Sequence, residues 1–308
     1  MCWSGEASLG VAAVGVAGSL WARRRGAPLG RWATLLYFTG MELLQALTYT
    51  VIDRCGLPLN LWLTRVSYVH IALQPFFINL LALSFVSPEM TRRARPFVLL
   101  ACTVGSLLML AKFFVLSPEW ACNPATVSVC GADTCSYHGE WHIAWRLYLS
   151  GLDNNFYVYW LPAFALPLLY GSWRWTLYHA LVGPFAAYFM SSNKDEIVAI
   201  WCLTSIGFLL AIHVPLLEHW LEAPRRLPEG ALGAGWLRTL AGGFAGTAAF
   251  IGCYLLLRVL RGSVVLDPRL SVALCLAAAV LAVRFAVRAR AASRQERGHW
   301  APALRDSA

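Results

Sequence analysis

Two side chains place acid–base chemistry where water is scarce. Glu42 is the only acidic or basic residue in the apolar stretch at about 32–52, and His70 shares the next stretch, at about 61–86, only with Arg65 near its edge. A carboxylate and an imidazole can exchange a proton as general acid and base. A carboxylate at mid-depth in lipid needs a partner or must take up a proton. Each also lies on a polar stripe at helical offsets: Gln45 and Tyr49 follow Glu42, and Ser67 and Gln74 flank His70. Counting inward from the short connection sets Glu42 near the depth of His70, Gln45 near Ser67 and Tyr49 near Arg65. Asn155 and Tyr157 open a later apolar stretch, and Glu196 and Trp201 another, at the same end. The expected product is a polar pocket open to the outside. In it Glu42 and His70 are catalytic, and Gln45, Tyr49, Gln74, Asn155, Tyr157, Glu196 and Trp201 bind a small or lipidic substrate. A hydrogen-bonded network joining helices accounts for the Gln, Asn and Ser residues equally well, and less well for Glu42 with His70.

Helices must hold these groups, and the composition says in what solvent. Of 308 residues 58% are apolar and only 13% charged, and mean hydropathy is +0.57. A soluble domain carries about a quarter charged residues, so an ordinary cytosolic enzyme, a disordered chain and a disulfide-rich secreted module are all excluded. The continuous apolar runs, without period-two alternation, predict an all-α polytopic transmembrane bundle of about nine spans. They lie near 7–22, 32–52, 61–86, 97–116, 156–171, 175–190, 197–217, 239–260 and 271–287. Residues 1–220 are expected to form a seven-helix membrane core with an external Cys-rich cap at about 117–155, and 221–308 a two-helix hairpin with a basic tail.

The net charge of +9 lies in short Arg clusters between spans, which speaks against nucleic acid as a partner and for the positive-inside rule. Arg23–Arg25 with Arg31, Arg92 with Arg93 and Arg95, Arg174, Arg225 with Arg226, and the Arg288–Arg297 tail all fall on one side if the N-terminus is outside and the C-terminus cytoplasmic. Arg258, Arg261 and Arg269 break the pattern. Three Arg follow the first apolar stretch and none precedes it, the reverse of a cleavable signal peptide, so an uncleaved N-out anchor is expected.

Five of the nine cysteines, Cys2, Cys55, Cys122, Cys130 and Cys135, land on the outer side of this topology. An oxidising exterior makes them disulfide candidates, with connectivity open. The alternative is a zinc or copper site on Cys130, Cys135, His138 and His142. Trp141, His142 and Trp145 otherwise read as anchors at the headgroup level. His179 and His213 lie near one depth, which would permit bis-His haem, but nothing else supports a cofactor and structural roles are expected.

The opening Met-Cys-Trp-Ser-Gly, the segment 40–46 (Gly-Met-Glu-Leu-Leu-Gln-Ala), the run 70–79, and the block from Cys122-Asn123-Pro124 through 139–145 (Gly-Glu-Trp-His-Ile-Ala-Trp) resemble a family of polytopic membrane proteins without an established activity. The resemblance covers the first seven spans and implies a membrane fold. It carries no catalytic residue across. Three functions follow from the residues: first, and favoured, a membrane-embedded enzyme acting on a small or lipidic substrate; as alternatives, a transporter or channel in which Glu42 titrates, and a sensor or assembly factor without chemistry. The absence of an internal repeat weighs against the second, and the lack of a strong catalytic signature weakens the first. Partners are the bilayer and a small-molecule or lipid ligand.

Overall fold

The computed structural model describes residues 3–114, 129–149 and 156–222. The expected eighth and ninth spans, the Arg-rich tail, Asn155, Cys2 and Cys122 lie outside the described residues, as does the side chain of Tyr157.

Four long helices come first: α1 (Gly5–Arg24), α2 (Leu29–Tyr49), α3 (Pro58–Leu83) and α4 (Pro88–Phe114). Ser4 caps α1 by accepting from the Ala7 amide, and Pro58 starts α3 where no intrahelical donor is needed. Along α1 the buried positions are Ser8, Ala12, Gly15, Ser19 and Ala22, a seam of small residues at helical spacing. It lets α1 lie close on α2: a Cβ on Gly15 would run into Thr39. The opposite faces carry Leu9, Val14, Val16, Leu20 and Trp21 on α1 and Phe97, Leu100, Val104, Leu107 and Leu108 on α4, all exposed. Polar groups inside and large apolar ones outside is the arrangement lipid demands.

The later segments are broken helices. A π-helical stretch (Phe156–Ala165) leads into α5 (Leu166–Leu169), and α6 (Trp173–Ala180) passes through a second one (Leu181–Phe185) into α7 (Ala186–Met190). Each π stretch holds a proline, Pro162 or Pro184, which cannot donate and crowds the preceding turn. Helix α8 (Lys194–Thr204) continues by a 3-10 turn into α9 (Phe208–His213), and α10 (Pro215–Leu221) follows. The seventh apolar run, expected to be continuous over 197–217, breaks at Val214. That residue is extended because it precedes Pro215.

Among the described residues, four helical stretches are long and apolar enough to cross a membrane: Gly5–Arg24, Pro58–Leu83, Pro88–Phe113 and Lys194–His213. Helix α2 has the length, but its apolar content is diluted by the polar stripe of Glu42, Gln45 and Tyr49.

The expectation of an all-α chain needs one correction. Within the cap, β1 (Cys135–His138) and β2 (Ile143–Arg146) pair antiparallel, with Cys135 opposite Arg146 and His138 opposite Ile143. Ile143, Ala144 and Trp145 are all buried, so β2 shows none of the alternation that marks a half-exposed strand. Cys55, between α2 and α3, is disulfide-bonded to Cys135, and Cys130 is also oxidised. Cys102 and Cys202 are free and buried.

Candidate functional site

The polar face of α2 meets the cap rather than α3. Glu42, Gln45 and Tyr49 lie on one side of the helix, as their spacing predicts. His142, in the turn between β1 and β2, drops onto this stripe. Its Nδ1 is 2.8 Å from the Tyr49 hydroxyl and its Nε2 is 2.9 Å from Gln45 Oε1. Gln45 Oε1 can only accept, so Nε2 carries the hydrogen and Nδ1 accepts from Tyr49. Trp3 closes the site edge-on to the imidazole, its ring 5.7 Å away, and donates to Ser8 Oγ at 2.7 Å. Burial pushes the His142 pKa down to about 3, so the ring is neutral, as this hydrogen-bond pattern requires.

Glu196 seats the turn. Near the start of α8 and fully buried, it accepts from the amides of Glu140 (2.9 Å), Trp141 (2.5 Å) and His142, and from Ser191 Oγ (2.7 Å). A Cβ on Gly139 would collide with this carboxylate, so the turn needs glycine there. Asp195 beside it accepts from the Val129 amide (2.9 Å) and from the Tyr137 hydroxyl (3.2 Å). Asn60 at the start of α3 donates to the carbonyls of Val51 and Ser136 and accepts from the Ser136 amide. Asp53 accepts from the His138 amide and pairs with its ring. Partial burial raises the Asp53 pKa, but these His138 contacts outweigh it and the net shift is downward.

Glu42 stands apart. It is 2% exposed, and neither carboxyl oxygen has a hydrogen-bond partner. Ser8 of α1 lies beside it. The space next to it, about 10 Å³, is lined by Leu35, Phe38, Thr39, Cys202, Ser205 and Ile206. That is room for a single water at most. One helical turn toward the cap, the Gln45 amide nitrogen is also buried without a partner. An orphaned acceptor and an orphaned donor thus share one face of α2.

Other expected site residues fall elsewhere. His70 does not join Glu42: its Nε2 is 2.8 Å from the Tyr37 carbonyl, and its ring stacks on Tyr37 at 3.9 Å. Ser67 bonds back to Leu63, and Arg65 lies over Trp62 and Phe113. Gln74 accepts from Tyr159 (2.6 Å) and donates to Cys202 Sγ (3.1 Å), which itself borders the space at Glu42. Trp201 donates to His179 Nε2 at 3.3 Å, within an aromatic box of Phe164, Trp175 and Phe208. His213 sits instead on the Gly18 carbonyl at 3.0 Å and stacks on Trp21, so the two imidazoles serve separate contacts. The four expected metal ligands are likewise divided. Cys130 and Cys135 are oxidised, His138 pairs with Asp53, and His142 faces Gln45 and Tyr49.

His142, read from the sequence as an alternative metal ligand or a headgroup anchor, is instead the partner of Gln45 and Tyr49. Depth counting compares span with span, and a loop residue has no depth to count. The available signal was that Gln45 and Tyr49 both needed a partner at the cap end of α2.

A mostly helical chain with several membrane-length apolar helices and a disulfide-bonded cap defines the class. The chain belongs to the family of unknown function DUF5765, whose model matches residues 6–222. No curated protein and no solved structure matches it.

Proposed function

We propose that the chain is a multi-pass membrane protein that takes up and releases a proton at Glu42, with the cap side facing outward and the Arg clusters facing the cytoplasm. The observation that carries this reading is Glu42 itself, buried with both oxygens lacking a donor beside space for one water. A carboxylate so placed is stable with a proton aboard, or with a partner delivered by a change of conformation. Tyr49, His142 and Gln45 form a hydrogen-bonded line from the cap toward it. A turn of the Gln45 amide from His142 to Glu42 would satisfy both orphaned groups and release the imidazole. A membrane-embedded enzyme would need a substrate cavity at Glu42, and the space there is too small. The titrating-carrier reading needs none in a closed state, and it takes precedence here. His70 has a packing role.

Infrared difference spectroscopy on the purified protein tests this. A protonated-carboxyl band at neutral pH that disappears in Glu42→Gln is expected, and so is loss of pH-gradient-driven proton uptake by proteoliposomes. A spectrum unchanged by the substitution would sink the proposal. Orientation is checked separately: single cysteines placed in the cap should label on intact cells and those beside Arg92 should not.

A further inference from the structure

The corner between α3 and α4, at the end of the bundle away from the cap, holds a cleft of about 640 Å³. Its floor is apolar, including Leu83, Pro96 and Leu99, and Arg92 and Arg95 stand at its rim. No acidic residue lines it. The other basic residues nearby are already balanced. Arg93 pairs with Glu89 at 2.7 Å, and Arg31 pairs with Glu218 and with Glu222 at 3.3 Å while donating to Ser84. Arg92 and Arg95 have no carboxylate partner among the described residues. Polar groups at the wall are also committed: Thr91 bonds to the carbonyls of Leu83 and Ser87, and Ser84 to Leu81. Two cations therefore face one cleft with no counter-charge among the described residues, a charge that another molecule can supply.

Position selects that molecule. Arg92 and Arg95 immediately precede the lipid-facing run of α4, where Phe97 and Leu100 are strongly exposed. They thus sit at headgroup depth, with apolar wall directly below them. A guanidinium matches phosphate oxygens with two parallel N–H donors. The volume lies within the usual range of small-molecule sites.

We propose that this cleft binds one anionic phospholipid, with its phosphate against Arg92 and Arg95 and the start of its acyl chains over Leu83 and Leu99. Phosphatidylcholine carries its own cation and gains less here. The proposal shares with the preceding section only the placement in a membrane, not the role of Glu42.

Native mass spectrometry of the full chain, released from micelles doped with phosphatidylglycerol or phosphatidylcholine, tests it. One retained phosphatidylglycerol is expected, preferred several-fold over phosphatidylcholine. Each Arg near a charged membrane surface contributes about a five-fold gain, so Arg92→Ala with Arg95→Ala should weaken retention about 25-fold. Arg93→Ala should leave it unchanged. Leu99→Trp, which fills the floor and keeps both charges, should also reduce it, with an unchanged melting curve confirming the fold. Equal retention by the double variant, or equal retention of the two lipids, would overturn the proposal. Displacement by millimolar inorganic phosphate alone would overturn it too, since the site would then recognise a free anion. Retention of neither lipid would count against the membrane placement as well.

Discussion

Glu196 and Glu42 are both glutamates, both buried to 2% or less, and both on helices that lead to the cap, yet their surroundings are opposite. Glu196 is surrounded by donors: three amides and a hydroxyl, with no cation among these contacts. Glu42 has none. Burial alone does not decide what a carboxylate does. The number of donors aimed at it separates a carboxyl group that holds structure from one left without partners. The cap seat converges its donors on one side chain, and the middle of α2 does not.

The largest expected effect is at the seat. Glu196→Ala strips the acceptor from three amides and a hydroxyl at once, and should cost on the order of 4 kcal/mol in thermal or denaturant unfolding in detergent. A loss under about 1 kcal/mol would mean that the turn holds without it, and the contrast with Glu42 would lapse.

Acid should undo the same region through His142. Its folded pKa is depressed to about 3 from an ordinary value near 6.5. The unfolded chain therefore takes up the proton first. The stability gained by keeping the ring neutral is whole above pH 6.5 and is lost as pH falls from there toward 3. The loss should approach about 4 kcal/mol at the low end. In His142→Gln the slope across that window should flatten, and an unchanged slope would remove His142 as its source.

Reducing the Cys55–Cys135 bridge should cost about 3 kcal/mol, because it frees a long loop in the unfolded chain. Non-reducing peptide mapping should recover that pair. Recovery of both thiols free would refute it.

Glu42→Gln should have the smallest effect on stability, under about 1 kcal/mol, since on the proposed reading a neutral isostere replaces a neutral acid. A cost matching that of Glu196→Ala would show Glu42 to be ionised and paired, which would collapse the comparison.

Much of this was legible in the residues. The first four apolar runs match α1 to α4, the cysteines expected on the outside include a bridged pair, and the α2 stripe is a stripe. Depth was not legible. The count that paired Glu42 with His70 relied on run ends at 52 and 61, but α2 ends at Tyr49 and α3 begins at Pro58. Glu42 therefore lies seven residues from its helix end and His70 twelve from its own. Those five residues amount to about 7.5 Å of rise. Tyr37 is the residue twelve back from Tyr49, and Tyr37 is what His70 stacks against. The strands escaped notice because each has four residues and β2 is buried on both faces.

The His142 contact also has a bearing on biogenesis. Gln45 and Tyr49 precede their partner by 97 and 93 positions. At typical synthesis rates of about 5–20 residues per second, several seconds separate them. During that interval the polar flank of α2 has α1 and then α3 beside it, but not its cap partner. The close α1–α2 seam, with Ser8 beside Glu42, is then a temporary chaperone written into the chain. The hairpin that relieves it is locked by the Cys55–Cys135 bridge, which needs oxidising conditions to form. The seat of that hairpin is complete later still, when Glu196 arrives to accept from its turn.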